Sequence, residues 1–253
     1  MKLVPPGSDV DEYRMPLLEH LRELRDHLVV ALVALFISCF VSFLFAADIF
    51  DWLVEPMNLA LEERGEGTMA ITDPLEGVIT YLKVALLAGG FFASPVLFHQ
   101  GWMFVAPGLY EQERKVVVPL VVASTTLFLG GAAFGYFVIF EYGFAFFLSV
   151  IDLETAAVLS INSYLGTATK LLLAFGACFQ LPVVTFFLAR IGLIDHKDMI
   201  SKFRYAVVGI FIVAAFITPP DPLTQSLMAG PLIVLYTASI GIVWMVSTKE
   251  RED

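Results

Sequence analysis

The sequence predicts an all-α, polytopic membrane protein with six transmembrane helices, a short fifth span and both termini in the cytoplasm. Composition is the first reason, because 58% of the 253 residues are hydrophobic, only 16% are charged and the mean hydropathy is +0.80. Soluble domains average about 45–50% apolar and about 25% charged residues. A soluble core of this length cannot bury so much apolar surface, so lipid must solvate much of it.

Six apolar runs are the second reason. A helix needs about 20 apolar residues to cross a hydrocarbon core about 30 Å thick. The runs cover residues 28–47, 75–104, 116–150, 164–189, 203–218 and 223–246. The first run is long for a signal peptide and no small-residue cleavage site closes it, so we do not expect it to be removed. We predict one membrane domain over residues 1–253, made of a cytoplasmic amphipathic segment, a six-helix region and a cytoplasmic tail (1–27, 28–246 and 247–253).

The distribution of lysine and arginine predicts the orientation. Loops rich in these residues stay on the cytoplasmic side of the membrane. Twelve of the 15 basic residues lie in the N-terminal segment, the loops after the second and fourth runs, and the C-terminal tail, whereas the alternate loops contain only Arg64. Both termini are therefore predicted to be cytoplasmic.

The lengths of the runs predict the shapes of individual helices. The third run has about 35 residues, roughly 52 Å as a helix, and must tilt or protrude from the bilayer. The fifth has about 16 residues, roughly 24 Å, and is too short to cross comfortably. Pro182 predicts a kink in the fourth run. A short amphipathic helix on the outer interface is predicted after the first run, from the helical spacing of Ile49, Phe50, Trp52, Leu53 and Met57.

The sequence offers nothing that an enzyme or cofactor site would need. It contains no His-Glu-x-x-His, Gly-x-Ser-x-Gly, glycine-rich phosphate loop or Cys-x-x-Cys motif. The formal charge of −10 argues against a nucleic-acid partner. Cys39 and Cys178 both lie inside apolar runs, so no disulfide framework is implied. We predict no enzymatic activity, no cofactor and no metal site.

Four polar segments interrupt this apolar pattern. Each has an ordinary structural explanation when it is taken alone: a solvated helix face, a turn, a buried amide that packs, and a helix stop and restart. The segments are residues 15–27 with their leucine stripe, residues 104–115, residues 174–182 around Gln180, and residues 218–225.

In this order and spacing, the four segments resemble those of the TatC family, the receptor subunits of the twin-arginine protein translocase. The likeness covers roughly Met15 to Val246. The residues that carry it are His20-Leu-Arg-Glu-Leu-Arg25, Ala106-Pro-Gly-Leu-Tyr-Glu-Gln-Glu-Arg114, Phe175-Gly with Gln180-Leu-Pro182, and Thr218-Pro-Pro-Asp221 with Gln225.

The resemblance implies a receptor that recognises the twin-arginine signal peptides of folded proteins. The two signal-binding carboxylates of the family fall on Glu23 and Glu113. Their chemistry fits, because a guanidinium group needs an acidic partner and forms planar, bidentate pairs that lysine imitates poorly. The residues implied to support this site are His20, Leu24, Arg25, Phe104, Pro107, Leu109, Tyr110 and Arg114.

Four further residues are assigned by the resemblance to positions away from the signal site. Gln180 is expected to make a contact inside the membrane or with a partner, and Pro56, Asp221 and Gln225 are expected to be structural in the outer loops. Many family members have a glutamate where this chain has Gln180. An amide keeps hydrogen-bonding capacity but cannot titrate, so a mechanism that needs a protonatable group there does not suit this chain.

The resemblance also implies the partners and the location. The partners are the single-span subunits TatA and TatB, twin-arginine signal peptides of folded precursors, the lipid bilayer and further copies of the chain. The subunit would nucleate a translocation site driven by the protonmotive force. The implied location is the cytoplasmic (inner) membrane of a prokaryote.

Two other functions compete with this interpretation. A secondary transporter for a small solute predicts inverted repeats, paired broken helices and charged groups at mid-membrane. No repeat is evident in the sequence, and only Gln180 is both polar and central. A purely structural membrane subunit would leave the acidic motifs around Glu23 and Glu113 unexplained.

Overall fold

A computed structural model of the protein describes residues 17–62, 68–71, 75–105, 117–150, 158–217 and 222–249. These residues form ten α-helices, one π-helical turn and two three-residue strands. In chain order the elements are α1 (Leu17–Leu44), α2 (Ala46–Glu62), β1 (Thr68–Ala70), α3 (Glu76–Val105), α4 (Val117–Phe134), the π-helical turn (Gly135–Phe140), α5 (Glu141–Val150), β2 (Val158–Ser160), α6 (Ile161–Cys178), α7 (Leu181–Arg190), α8 (His196–Ser201), α9 (Phe203–Ile217) and α10 (Pro222–Lys249).

Helices long enough to cross a membrane dominate the described part of the chain. Five segments are both long and apolar enough, and α9 is a shorter apolar helix. The five are Leu21–Leu44, Glu76–Val105, Val117–Phe144, Ile161–Arg190 and Gln225–Val246. The prediction of a helical, polytopic membrane protein with a short fifth apolar helix is therefore confirmed.

The first helix contains both the amphipathic N-terminal stretch and the first apolar run. The helix α1 runs without a break from Leu17 to Leu44, so the amphipathic N-terminal stretch continues directly into the first apolar run. Its large apolar side chains are widely exposed, with Phe36 at 75% and Phe40 at 62%. Exposure of this kind suits a helix that faces lipid along most of its circumference. The contacts of α1 are concentrated on α3.

Small residues let α1 and α3 approach closely. A Cβ atom added at Gly89 would lie 2.5 Å from Cys39 Sγ and 2.6 Å from Cys39 Cα, which is closer than real Cβ contacts allow. Ala85 and Ala93, four residues before and after Gly89, are also buried. Small residues at four-residue spacing are the usual way for membrane helices to bring their backbones together.

The helix α2 confirms the amphipathic helix predicted after the first run. Its buried face is Leu53, Val54, Met57 and Leu61, while Trp52 is half exposed. The predicted kink in the fourth run is confirmed as a break at residues 179–180 between α6 and α7. Pro182 lies in the first turn of α7 and has no N–H to give the carbonyl of Cys178, so a continuous helix loses a bond there.

A two-stranded parallel sheet, which the sequence did not predict, joins distant parts of the chain. Thr68 on β1 is opposite Val158 on β2. The carboxylate of Glu76, only 3% exposed, accepts hydrogen bonds from Ser160 Oγ at 3.0 Å and Asn162 N at 2.7 Å. Glu76 thereby ties the first turn of α3 to the start of α6.

Charged residues distinguish the two ends of the helix bundle. We call the end where α1 and α9 begin and α7 stops the basic end, because it contains Arg22, Arg25, Arg190, Lys197, Lys202 and Arg204. We call the opposite end, where α2 lies and α3 begins, the acidic end, because it contains Asp48, Asp51, Glu55, Glu62, Glu76 and Glu141.

The close approach of α1 to α3 predicts that Gly89→Ala destabilises the protein. The new methyl group meets the backbone of Cys39, which cannot move aside cheaply. Overpacking of this kind costs about 1–3 kcal/mol, and it should appear as a lower thermal unfolding midpoint in detergent.

Gly90→Ala is the matched control, since a Cβ atom at Gly90 has no neighbour within 4 Å. It should unfold at the same temperature as the parent protein. Equal midpoints for Gly89→Ala and Gly90→Ala would contradict the close packing of α1 on α3.

Candidate functional site

Glu23 lies in the second turn of α1, at the basic end of the bundle. Its side chain is half-buried, whereas every other residue from 21 to 30 except His27 is exposed. Glu23 and His27 are four residues apart and therefore share one face of the helix. Over residues 21–30, α1 turns a polar face towards the rest of the protein and leaves Leu21, Leu24 and Leu28 exposed.

Arg25 directs its charge to its neighbour Asp26. Its Nε and Nη2 atoms lie 2.8 Å and 2.7 Å from Asp26 Oδ1, and both side chains are well exposed. An exposed pair of this kind contributes at most about 1 kcal/mol to the stability of the folded protein. Leu24, which was predicted to support the site, is 41% exposed. Arg25 and Leu24 thus both lie on the outer side of α1, away from the face that holds Glu23.

A hydrogen bond between α1 and α3 fixes their alignment at the basic end. His27 Nδ1 lies 2.6 Å from Gln100 Oε1, across 73 positions of sequence. The helices are antiparallel, since Cys39 meets Gly89 further along both of them. One turn beyond this bond on each helix are Glu23 and Phe104, which therefore lie at the same level. The structure brings these two predicted site residues to one end of one helix pair.

The other half of the predicted site lies outside the described residues. This applies to Pro107, Leu109, Tyr110, Glu113 and Arg114, to Asp221, and to the side chain of His20. The segment 106–116 is nevertheless held at both ends, because α3 stops at Val105 and α4 starts at Val117 at the basic end. Glu113 is four residues before Val117, a span of at most about 14 Å of extended chain. Its proximity to Glu23 stays a prediction.

Gln180 is part of a polar cluster between helices. It is the N-cap residue of α7, and its Nε2 donates to the main-chain carbonyl of Ser124 at 3.0 Å. The hydroxyl oxygen of Ser124, which is 1% exposed, accepts from Trp102 Nε1 at 2.9 Å. The ring of Trp102 also packs edge-on against Phe187. The cluster joins α3, α4 and α7 near the end of α3 that holds Phe104.

Pro56 interrupts the hydrogen-bond ladder inside α2. A proline has no N–H, so the carbonyl four residues earlier, on Trp52, loses its helical partner. The Tyr136 hydroxyl donates to this carbonyl at 2.5 Å, and the Tyr136 ring stacks on the Trp52 ring at 4.0 Å. Tyr164 donates to the next carbonyl, on Leu53, at 2.7 Å. Pro56, which was predicted to be structural, thus leaves the Trp52 carbonyl to Tyr136, whereas the Leu53 carbonyl accepts from Tyr164 in addition to its helical partner.

Gln225 provides a similar contact near the start of α10. Its Nε2 donates to the main-chain carbonyl of Phe211 on α9 at 2.8 Å. The amide thus joins the C-terminal half of the short helix α9 to the start of α10. A structural role was predicted for Gln225, and this hydrogen bond between α9 and α10 is the contact that would perform it.

Several residues that join distant parts of the chain through hydrogen bonds were not singled out from the sequence. They are His27, Gln100, Trp102, Ser124 and Glu76. Each is a polar residue within or at the border of an apolar run, which is the signal that could have identified them. Their partners could not be read from the sequence, because every bond joins positions at least 22 residues apart.

Within the described ranges, no three His, Cys, Asp or Glu side chains are grouped so that they could hold a metal ion. Cys39 and Cys178 are both free thiols. The polar groups of the site are therefore carboxylates, amides, an imidazole and an indole, which bind through charge and hydrogen bonds.

The sequence matches one family model over most of its length. Residues 19–231 match the family described as TatC, Sec-independent protein translocase protein. A TatC protein of Desulforapulum autotrophicum is 45% identical over 231 residues, which cover 91% of this chain and 84% of that protein. A TatC protein of Helicobacter pylori is 38% identical over 92% of this chain and 91% of its own length.

Solved structures show the same fold. A crystal structure of the twin-arginine translocase receptor TatC superposes with a TM-score of 0.79 at 34% identity, covering 90% of this chain and all of the other. A second crystal structure of that receptor, in the detergent DDM, superposes with a TM-score of 0.80 at 35% identity, covering 88% of this chain and 99% of the other.

The environment of Pro56 predicts that the cost of removing the Tyr136 hydroxyl depends on the proline. Tyr136→Phe should destabilise the protein by about 0.6–2 kcal/mol, as loss of a hydrogen bond within a membrane protein does. In a Pro56→Ala background the cost should be smaller, because the new N–H of residue 56 can bond the Trp52 carbonyl. A double-mutant cycle on the free energy of unfolding measures the difference.

Tyr164→Phe serves as the control for this cycle. It removes the bond to the Leu53 carbonyl, whose helical partner Met57 keeps its N–H, so its cost should be the same in the parent and in the Pro56→Ala background. An unchanged cost of Tyr136→Phe in the two backgrounds would refute the compensating role of its hydroxyl.

Proposed function

The chain belongs to the TatC family and is the signal-peptide receptor component of the twin-arginine translocase, and we propose that it binds the paired arginines of the signal peptide through Glu23 and Glu113. It is a non-enzymatic transport protein and a multi-pass membrane protein. The observation that supports the proposed site most strongly is the half-buried position of Glu23 at the level of Phe104.

Half-burial is a favourable environment for a carboxylate that must recognise a guanidinium group. The attraction between two charges strengthens as the local dielectric constant falls, but a fully buried carboxylate would be inaccessible to a peptide. The half-buried side chain of Glu23 lies between these extremes. Phe104 at the same level offers an apolar contact to the part of the signal that follows the arginines. Glu113 supplies the second carboxylate from a segment tethered at the same end.

The proposal includes the orientation and the partners. The basic end faces the cytoplasm, both termini lie on that side, and α9 is the short fifth of six spans. The concentration of lysine and arginine at the basic end supports this orientation. The exposed apolar surfaces of α1 and α9, with Phe216 at 87%, suit lipid and the single-span helices of TatA and TatB. In this scheme further copies of the chain complete the translocation site. The protonmotive force drives transport through it.

The test is the binding of a twin-arginine precursor to purified protein in nanodiscs. Glu23→Gln and Glu113→Gln should each abolish site-specific crosslinking to the precursor, because an amide cannot form a charge-assisted bidentate pair with arginine. A precursor whose two arginines are replaced by lysines should crosslink poorly to the parent protein.

Glu62→Gln is the matched control, since it makes the same chemical change at the exposed C-terminus of α2, at the acidic end. It should crosslink as the parent protein does. Normal crosslinking in both Glu23→Gln and Glu113→Gln would rule out the proposed site.

A further inference from the structure

We infer that His27 and Gln100 are positioning residues that hold Glu23 at the correct place for the signal peptide. This inference rests on the proposed function of Glu23. The bond between His27 Nδ1 and Gln100 Oε1, at 2.6 Å, is the starting point. It joins α1 to α3 one helical turn from Glu23 on one side and one turn from Phe104 on the other.

The need for such a bond follows from how α1 is held. Its contacts are concentrated on α3, and the two backbones approach closely at Cys39 and Gly89. Glu23 is 16 residues from Cys39, about 24 Å along the helix axis. Between residues 21 and 30 the apolar side chains of α1 are exposed, and only Glu23 and His27 are half-buried. Residues 21–30 of α1 therefore lack the apolar packing that holds the helix pair together further along.

A small tilt of α1 would move Glu23 a long way, because Glu23 is far from the point where α1 packs closely on α3. A rotation of about 10° about the Cys39–Gly89 contact would displace Glu23 by roughly 4 Å, given a rise of about 1.5 Å per residue. Binding groups must be held to within about 0.5 Å to keep a productive geometry. The hydrogen bond of His27 to Gln100 restricts this tilt of α1 one helical turn from Glu23.

The chemistry of the pair suits a positioning role. The oxygen Oε1 of Gln100 can only accept, so His27 Nδ1 carries the hydrogen of the bond. A neutral imidazole with its hydrogen on Nδ1 and a charged imidazolium both provide this donor. The amide of Gln100 brings no charge to the surface that receives the signal peptide. The pair thus fixes the helix through a hydrogen bond and not through an ion pair.

The test measures the dissociation constant of a fluorescent twin-arginine precursor for the full-length protein in nanodiscs. His27→Ala and Gln100→Ala should each weaken binding at least about five-fold, and the double variant should bind no more weakly than either single variant, since both lose one bond. The exchange variant His27→Gln with Gln100→His can rebuild the bond and should restore binding to within about two-fold of the parent.

Tyr236→Phe is the matched control. It removes another interhelical hydrogen bond near the basic end, from Tyr236 Oη to the carbonyl of Met199 at 3.1 Å, which does not involve α1 or α3. Its binding should stay within about two-fold of the parent value even where its thermal midpoint falls.

A spectroscopic measurement separates positioning from general stability. Spin labels at the exposed positions Leu21 and Met103, in a variant without Cys39 and Cys178, report the separation of the two helix ends. The distance distribution should be narrow in the parent, broad in His27→Ala and narrow again in the exchange variant. Where His27→Ala does not fold, Gln100→Ala provides the same comparison with the imidazole retained.

Two results would overturn the inference. One is parental binding in both alanine variants while Glu23→Gln loses binding, which would leave the proposed function intact. The other is an unchanged distance distribution in both alanine variants. Parental binding by Glu23→Gln itself would refute the proposed site and, with it, this role of His27 and Gln100.

Discussion

A main-chain carbonyl inside a bilayer has no water to bond, so each interruption of a membrane helix must be satisfied by the protein itself. The interruption at Pro56 in α2 meets that requirement with a side-chain donor from another helical element, and two glutamine amides make similar bonds to carbonyls of uninterrupted helices. Tyr136 bonds the Trp52 carbonyl that Pro56 leaves without a helical partner, and the amide of Gln180, at the break between α6 and α7, bonds the carbonyl of Ser124. The amide of Gln225 reaches α9 in the same way. All three contacts are cross-links, because each joins two separate elements, and the contact of Tyr136 is also a repair of the helix that Pro56 interrupts.

The same constraint explains why the position of the recognition surface depends on polar contacts. Apolar side chains on lipid-facing helices gain little by packing on one another, since lipid is equally apolar, so close backbone packing and hydrogen bonds must provide the specificity. Gly89 supplies the close packing of α1 on α3, and His27 with Gln100 supplies the hydrogen bond. Trp102, two residues from Gln100, then connects α3 to Ser124 on α4. A continuous series of contacts thus runs from the face of Glu23 to Gln180.

Local patterns in the sequence predicted the elements well and the contacts between them poorly. Run length and hydropathy sufficed for the apolar helices and the short α9, and the fixed geometry of proline sufficed for the break near Pro182. The leucine stripe of residues 15–27 indicated a helix, and α1 continues this helix without a break into the first apolar run. The sheet of β1 and β2 was missed because its two strands are three residues long and far apart in sequence. Glu23 came from a motif, whereas its supports His27 and Gln100 are defined by a pairing that only the fold reveals.

The amide at position 180 limits how this subunit can use the middle of the membrane. Gln180 donates a hydrogen to the Ser124 carbonyl, and an ionised carboxylate at the same place could only accept, so it would face that carbonyl as a repulsive partner. A glutamate could keep the bond only in its protonated form. The glutamine keeps the cross-link between α4 and α7 in every state of the site, since an amide does not titrate. Gln180 is thus a structural contact between α4 and α7 whose side chain cannot take part in the proton movement of the proposed mechanism.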